Sequence, residues 1–225
     1  MNMLKAAHTN NVKKFIFLSS SVVYPIRRSP CIESDLLDKS LHASYFGIGE
    51  VKRFIEKLCI MYSTQIRNPM TIIIIRPSNI YGPYDDFNPS TSHVTAALIR
   101  KVGLRQNPIE VWGAGQDKRD IIHIEDFLTA LLRATAHVEN GYEIFNIASG
   151  YQYSISTILK ILISKSVRFN PKILYKTNQF PMIRTREIDI TKAQTLLKFD
   201  PEFSHTRRLK DTLQWFKQYN KIGRL

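Results

Sequence analysis

The chain has 225 residues, of which 44% are hydrophobic and 23% charged, and these proportions exclude a disordered or fibrous protein. Its two cysteines, Cys31 and Cys59, exclude a disulfide scaffold and favour a reducing, cytoplasmic compartment. No stretch approaches the ~20 uninterrupted apolar residues of a membrane span, and the first residues lack the apolar core of a signal peptide.

The net charge of +13 is compatible with nucleic acid, a membrane surface or an anionic small molecule as partner. The basic residues are dispersed, often in pairs such as Lys13 and Lys14. Neither a basic run with interleaved aromatics nor zinc-finger spacing accompanies them. The sequence therefore predicts no nucleic-acid and no membrane partner.

The first half of the chain alternates strands with helices. Residues 14–18 form a short apolar run that predicts a buried strand delivering hydroxyls at its carboxyl end. Apolar positions in residues 49–65 follow the 3.6-residue period of an amphipathic helix. Residues 71–75 are continuously apolar and β-branched, as in a strand covered on both faces. A loop rich in Pro and Gly is predicted for residues 77–89.

The second half continues this alternation and predicts an α/β fold with a parallel sheet. The predicted strands are residues 109–112, 121–124 and 143–147. The predicted helices are residues 91–102, 126–136, 154–165, 190–197 and 207–219.

Five segments, taken in order, carry a resemblance to a known family. They are Phe15-Ile-Phe-Leu-Ser-Ser-Ser-Val-Val-Tyr24, Ile75-Arg-Pro-Ser-Asn-Ile-Tyr-Gly-Pro83, Gly113-Ala-Gly-Gln-Asp-Lys-Arg-Asp-Ile-Ile-His-Ile-Glu-Asp126, Phe145-Asn-Ile-Ala-Ser-Gly150, and Arg186-Glu-Ile-Asp-Ile-Thr-Lys-Ala193 with Leu197-Lys-Phe-Asp-Pro201. The series resembles the extended short-chain dehydrogenase/reductases, the NAD-dependent sugar epimerase/dehydratase family. Any one segment is weak evidence, but their order is specific.

This resemblance implies an incomplete Rossmann-type domain at residues 1–88 and 121–150. A small C-terminal α/β substrate domain would occupy residues 89–120 and 151–225. The implied cofactor is NAD or NADP, and the implied substrate is a nucleotide-diphosphate sugar of the kind used for surface polysaccharides. Epimerisation or reduction is expected, because the Asp-Glu pair that serves the family's 4,6-dehydratases is replaced here by Ser21 and Val22.

The resemblance also assigns roles to individual residues. The implied catalytic residues are Ser20, Tyr45 and Lys52, and the implied cofactor contacts are Ser19, Lys52, Pro77 and Tyr81. The implied contacts to the sugar diphosphate are Asn79, Arg119 and one of Arg184 and Arg186. The alternatives are backbone capping by the serines, a solvated lysine, and a salt bridge from Arg119 to a neighbouring aspartate. No metal site is predicted, because the histidines lack partners at ligand spacing.

The family's Tyr-x-x-x-Lys motif is altered in this chain. Alignment on Lys52 places Ile48, which cannot ionise, at the Tyr position, whereas alignment on Tyr45 places Gly49 at the Lys position. We prefer the Lys52 alignment, because the helical apolar pattern continues from it. Tyr45 and Lys52 then lie ~10 Å apart along a helix axis. Gly47 and Gly49 weaken the helix, so a bent lead-in at residues 45–49 would return the Tyr45 ring to the site, and otherwise Tyr45 is an interface aromatic.

A second departure concerns the family's opening strand and Gly-x-x-Gly-x-x-Gly turn, which contacts the dinucleotide pyrophosphate and has no counterpart here. We therefore expect an N-terminally truncated member that lacks roughly 80–100 residues and the adenosine half of the cofactor site. An exposed sheet edge would favour a homo-oligomer or a separate chain supplying the missing half. The competing hypothesis is an inactive family remnant that binds nucleotide sugar or a partner chain.

Overall fold

A computed structural model describes residues 2–26, 30–35, 39–166, 168–177, 183–201 and 205–221. The α-helices are α1 Asn2–Thr9, α2 Phe46–Thr64, α3 Val94–Gly103, α4 Ile124–His137, α5 Ile155–Ser164, α6 Thr191–Leu197 and α7 His205–Lys221. The strands are β1 Lys14–Leu18, β2 Thr71–Pro77, β3 Asn79–Tyr81, β4 Ile109–Trp112, β5 Lys118–His123, β6 Tyr142–Ile147, β7 Gln152–Ser154 and β8 Ile173–Lys176. The predicted α/β class is confirmed.

The chain divides into two compact units. The first comprises Met1–Ser78, Asp126–Gly150 and Arg186–Pro201, and the second comprises Asn79–Glu125, Tyr151–Thr185 and Glu202–Leu225. Relative to the predicted bounds, residues 79–88 and 121–125 fall in the second unit, and residues 186–201 fall in the first. The assignment of cofactor and substrate binding to these units stays a prediction.

The first unit is built on the parallel sheet β1-β2-β6. The residues Ile72 to Ile75 of the central strand are fully buried, because a parallel strand at this position is covered on both faces. On one of these faces Ile72 and Ile74 pack with Leu4 of α1 and Cys59 of α2. The predicted parallel sheet is therefore confirmed.

Residues 186–190 return to the first unit although they lie far along the chain. Ile188 forms an isolated parallel bridge with Cys31. Ile188 and Ile190 are buried in a cluster with Tyr24 and Val23. The segment that the resemblance placed in the substrate domain thus packs beside the carboxyl end of β1.

The second unit contains the sheet β3-β5-β7 and the two-stranded parallel sheet β4-β8. β3 pairs parallel with β5, and β7 pairs antiparallel with β5. Helices α3, α5 and α7 contribute Ile99, Leu159 and Phe216 to its buried core. The loop predicted for residues 77–89 is wrong at β3, because a three-residue strand is too short to give a periodic pattern.

The lengths of the helices and the state of the cysteines are two further features of the structure. Among the described residues, no helix combines the length and apolar character needed to cross a bilayer. Cys31 and Cys59 are both buried and free of disulfides. These thiols are packed as small apolar groups inside the first unit.

Candidate active site

The carboxyl end of β1 carries two of the predicted residues. Ser19 continues the sheet, because its backbone N–H donates to the Ile75 carbonyl over 2.8 Å, and its buried hydroxyl donates to the Glu56 carboxylate. Ser20 caps a short 3-10 helix at Ser21–Val23, and its Oγ accepts from the Val22 N–H over 3.3 Å. The capping predicted as an alternative for Ser20 is therefore present, and it leaves the hydroxyl proton able to donate.

Lys52 of α2 lies at the same strand end. Its Nζ donates to the Leu18 carbonyl over 2.8 Å and lies 5.3 Å from the centroid of the Phe17 ring. Burial lowers the pKa of Lys52, and the nearby Glu56 carboxylate opposes that shift. The structure thus brings Lys52 together with the backbone that presents Ser19 and Ser20.

Tyr45 lies at the amino end of α2, seven residues before Lys52. It ends the 3-10 helix Ala43–Tyr45 and directly precedes α2. The guanidinium carbon of Arg186 lies 5.8 Å from its ring centroid. Helix α2 begins at Phe46 and continues through both glycines, so the departure from helical backbone lies at Tyr45 itself and not at the glycines. At the position of the family tyrosine, Ile48 is 53% exposed.

Arg186 and Pro77 are the other predicted residues of the first unit. Arg186 Nη2 donates to the Tyr24 carbonyl over 3.3 Å, so its guanidinium spans Tyr24 and the Tyr45 ring. Pro77 is buried at the end of β2, opposite Ile147 of β6. Because β1 and β2 are parallel, Pro77 and Ser19 lie at the same edge of the sheet.

Two predicted residues lie on β3 in the second unit. The Asn79 side chain donates to the Asp120 carbonyl of β5 over 2.8 Å. Tyr81 is 1% exposed, and its ring meets His123 edge-on at a centroid distance of 5.4 Å. Both contacts hold β3 against β5, the strand that also carries Arg119.

The two remaining arginines flank one junction of the second unit. Arg119 Nη1 donates to the Lys118 and Ile183 carbonyls, both over 2.8 Å, and Nη2 lies 3.9 Å from Asp117. The Arg184 carbonyl accepts from the Lys118 N–H over 2.7 Å, while its side chain is exposed. The structure therefore places Arg184 beside Arg119 and assigns Arg186 to the other unit.

A buried polar network in the first unit was not predicted as part of the site. Arg76 Nη2 donates to the Glu56 carboxylate over 2.7 Å, and Arg76 Nη1 donates to the Tyr24 hydroxyl over 2.9 Å. Tyr24 in turn donates to Asn146 Oδ1 over 2.7 Å. Desolvation strongly raises the pKa of Tyr24, so its phenol stays neutral. Glu56 lies four residues after Lys52 on α2, and this helical spacing is the signal in the sequence that could have pointed to it.

The donor set at the β1 end fits part of a nicotinamide dinucleotide. The Leu18 contact uses one of the three N–H donors of the Lys52 ammonium, and the Ser20 hydroxyl can donate as well. Such donors suit the hydroxyls of a ribose, and the carboxyl edge of a parallel sheet is the usual ligand-binding edge. Among the described residues, no three His, Cys, Asp or Glu side chains are grouped as a metal site requires.

Comparison with known proteins identifies relatives of this chain. The NAD dependent epimerase/dehydratase family model matches residues 1–148. GDP-L-fucose synthase of Escherichia coli (strain K12) is 31% identical over an alignment 228 residues long, which spans 96% of this chain and 70% of that protein. A putative GDP-L-fucose synthase 2 of Arabidopsis thaliana is 28% identical, covering 96% of this chain and 66% of the relative. The chain thus spans about two thirds of the length of these relatives.

Solved structures share the fold. A GDP-L-fucose synthetase from Naegleria fowleri superposes with a TM-score of 0.88 at 22% identity, covering all of this chain and 71% of that one. The UDP-glucuronic acid 4-epimerase from Bacillus cereus, solved with UDP-glucuronic acid and NAD, has a TM-score of 0.81 at 25% identity. The superposition covers 96% of this chain and 65% of the epimerase. Each of these proteins extends beyond the part that matches.

Proposed function

Because this chain belongs to the NAD dependent epimerase/dehydratase family, we propose that it epimerises or reduces a nucleotide-diphosphate sugar with NAD or NADP. The observation that carries the proposal is the meeting of Lys52 with the β1 end that presents Ser20. A half-buried ammonium beside a strand-end hydroxyl is suited to bind and orient sugar hydroxyls.

Three side chains of the first unit have roles in this proposal. A bound nicotinamide dinucleotide supplies the hydride acceptor and donor. Lys52 donates to a ribose hydroxyl, and Ser20 donates to the reacting oxygen of the sugar. Tyr45, which directly precedes the helix that carries Lys52, exchanges the proton of the sugar hydroxyl. Ser19 and Pro77 shape the same edge of the sheet.

The second unit binds the sugar diphosphate in this proposal. Arg119 and Arg184 supply guanidinium groups, which match the geometry of phosphate oxygens. Their placement around one junction supports this role, and it favours Arg184 over Arg186. The relatives act on GDP-, dTDP- and UDP-linked sugars by name, so the diphosphate is the feature that their ligands share.

Calorimetry with NAD, NADP, GDP-sugars and UDP-sugars tests this function on the whole chain. Lys52→Met is expected to weaken dinucleotide binding about 10- to 100-fold, because a hydrogen bond from a charged group contributes about 1.5–3 kcal/mol. The matched control is Lys57→Met on the exposed face of the same helix, which leaves the affinity unchanged. Equal affinities for the two variants contradict the assignment of Lys52.

A second candidate function, a partner-binding remnant without catalysis, is favoured by the edge of β1. Within the described residues β1 pairs on one side only, with β2, and Leu18 at its end is 47% exposed. The backbone groups of such an edge can pair with a strand of a separate chain. Affinity for nucleotide sugar without affinity for NAD or NADP supports this candidate, and turnover by the chain alone contradicts it.

We further propose that the chain self-associates through α2. Phe46, Val51 and Phe54 on this helix are 60%, 54% and 56% exposed. Large apolar side chains exposed on one side of a helix favour burial of that side against another copy of the chain. Light scattering is expected to show an oligomer that Phe54→Glu dissociates, whereas Lys160→Glu at an exposed position of α5 does not. A monomeric wild-type protein contradicts this proposal.

The cytoplasm is the proposed location, because neither Cys31 nor Cys59 forms a disulfide. Fractionation of cells that express the full-length protein tests it. Recovery of the protein outside the cytoplasmic fraction contradicts the proposal.

A further inference from the structure

Helix α2 holds the end of β1 with two side chains that are one helical turn apart. Lys52 Nζ donates to the Leu18 carbonyl over 2.8 Å, and the Glu56 carboxylate accepts from the hydroxyl of Ser19, the next residue. Residues four apart lie on the same face of a helix, which explains how both reach the same strand end. The Ser19 N–H is itself bonded to Ile75, so Glu56 adds a side-chain restraint to a backbone one.

Glu56 is itself fixed by Arg76. The guanidinium donates to both carboxylate oxygens, with Nε to Oε1 over 3.1 Å and Nη2 to Oε2 over 2.7 Å. The two side chains are each 3% exposed. A bidentate, buried pair of this kind has one geometry, because both partners lose their bonds if either rotates.

The pair is anchored further by hydrogen bonds beyond Glu56. Arg76 Nη1 donates to the Tyr24 hydroxyl, and Tyr24 donates to Asn146 Oδ1. These side chains come from β2, the segment after β1, and β6. The Glu56 carboxylate that accepts from Ser19 is therefore part of a hydrogen-bond network that includes three other parts of the first unit.

From this arrangement we infer that Glu56 is a positioning residue of the active site, which fixes through Ser19 the backbone that presents Ser20 and through its charge the ammonium of Lys52. The roles of Ser20 and Lys52 in this inference rest on the proposed function. Glu56 itself needs no contact with substrate or cofactor to act in this way.

The charge of Glu56 has a measurable effect on Lys52. Burial lowers the pKa of Lys52, and the Glu56 carboxylate is the charge that opposes the shift. Lys52 also contacts the neutral Phe17 ring and Leu18 carbonyl of β1, and Arg76 of β2 lies beyond the Glu56 carboxylate. Removal of the Glu56 charge should therefore lower the pKa of Lys52 further.

The test is an NMR titration of Lys52 in the 225-residue chain carrying Glu56→Gln, with the Lys52 signal assigned by its loss in Lys52→Arg. We expect a lower Lys52 pKa in Glu56→Gln. The matched control is Glu50→Gln, which removes the same charge from the same helix at a more exposed site paired with Arg53. An unchanged Lys52 pKa in folded Glu56→Gln, or an equal fall in Glu50→Gln, overturns the inference.

A second variant tests the restraint if Glu56→Gln does not fold. Ser19→Ala removes the relay hydroxyl and leaves the Glu56–Arg76 pair intact. The Val22 amide, which is bonded to Ser20 Oγ, is expected to exchange with solvent about threefold faster or more, while Ser21→Ala leaves it unchanged. Unaltered exchange in Ser19→Ala overturns the positioning role.

Neither measurement depends on turnover or on a bound dinucleotide. A chain that binds no NAD or NADP contradicts the proposed function, yet the Lys52 titration and the Val22 exchange still decide the role of Glu56. Where the dinucleotide does bind, raising the pH removes the proton of Lys52 and with it the charge that supports binding. Because the Lys52 pKa is lower in Glu56→Gln, this variant is expected to lose the dinucleotide at a lower pH than the wild type as the pH rises.

Discussion

Asn146 lies on β6, an outer strand of the first sheet, where side chains bond the groups that a neighbouring strand would otherwise bond. Its side chain is fully buried and donates through Nδ2 to the carbonyls of Cys31 and Asp189, both over 3.0 Å. β6 pairs only with β2 in the described sheet, and the Asn146 N–H donates over 2.8 Å to Glu33 Oε1. A carboxylate thus satisfies a backbone group of the outer strand.

This use of Glu33 predicts a pH-dependent variant. Burial raises the pKa of Glu33 from its ordinary value of 4.5, so the native state favours the protonated form. The stability gained from protonated Glu33 is complete below that ordinary value and is lost as the pH rises through the native pKa. Glu33→Gln keeps the acceptor without the charge. We expect it to unfold at higher urea than the wild type at about pH 7 and at the same urea near about pH 4.

The control is Glu187→Gln, which neutralises an exposed carboxylate of the first unit. The stability of Glu187→Gln relative to the wild type should be the same at the two pH values, without the gain expected for Glu33→Gln at the higher pH. A Glu33→Gln protein that is less stable than the wild type at the higher pH contradicts the argument.

Gly49 marks a close approach between α2 and the chain around it. A Cβ there would lie 2.2 Å from Leu41 Cδ1 and 3.0 Å from the Val22 carbonyl oxygen, whereas a Cβ at Gly47 meets nothing within 4 Å. Gly49→Ala is expected to lower the free energy of unfolding by about 1–3 kcal/mol through overpacking. Gly47→Ala should raise it by about 0.5–1 kcal/mol, because alanine favours a helix. Urea unfolding measures both, and equal effects contradict this reason for Gly49.

At the scale of elements, prediction from the sequence succeeded where a pattern was long or strongly apolar. The bounds of β1 and β4 agree with the prediction, and α2 differs from it by three residues at its start. β7 and β8 were not predicted, because three or four residues, partly exposed, carry neither alternation nor a continuous apolar run. Such short strands form because they pair with strands elsewhere in the fold, and this pairing leaves no pattern in the local sequence.

Helix α5 illustrates an element whose start is set by one side chain. Ser154 precedes it, and its Oγ accepts from the Thr157 N–H over 3.0 Å. Ser154→Ala is expected to cost about 1 kcal/mol of stability, because one N–H of the first turn loses its partner. The matched control, Ser164→Ala at the exposed other end, removes only a bond to the Ile161 carbonyl and should be nearly neutral. Thermal unfolding compares the two, and an equal loss contradicts the capping role.

For the whole molecule, the order of motifs predicted the family, and the alternation of strands and helices predicted the α/β class. The division of the chain into two units differs in its bounds from the predicted one, because it depends on contacts between residues distant in sequence. The bridge from Cys31 to Ile188 joins residues 157 positions apart, and no periodicity indicates it. As a result Arg184 and Arg186, the two alternatives for one predicted phosphate contact, belong to different units. The polar network around Arg76 was missed for the same reason, since its members are scattered singly along the chain.

The net charge of +13 leads to a prediction for ligand binding by the whole molecule. A nucleotide-diphosphate sugar carries two negative charges, and a positive protein attracts it through a field that dissolved salt screens. Calorimetry is expected to show a roughly threefold to tenfold loss of affinity for such a ligand between about 50 mM and 300 mM KCl. Uridine and guanosine, which lack the phosphates, are the controls and should bind equally at both concentrations. If the diphosphate ligand also binds equally at both, the excess of positive charge serves another purpose than the attraction of substrate.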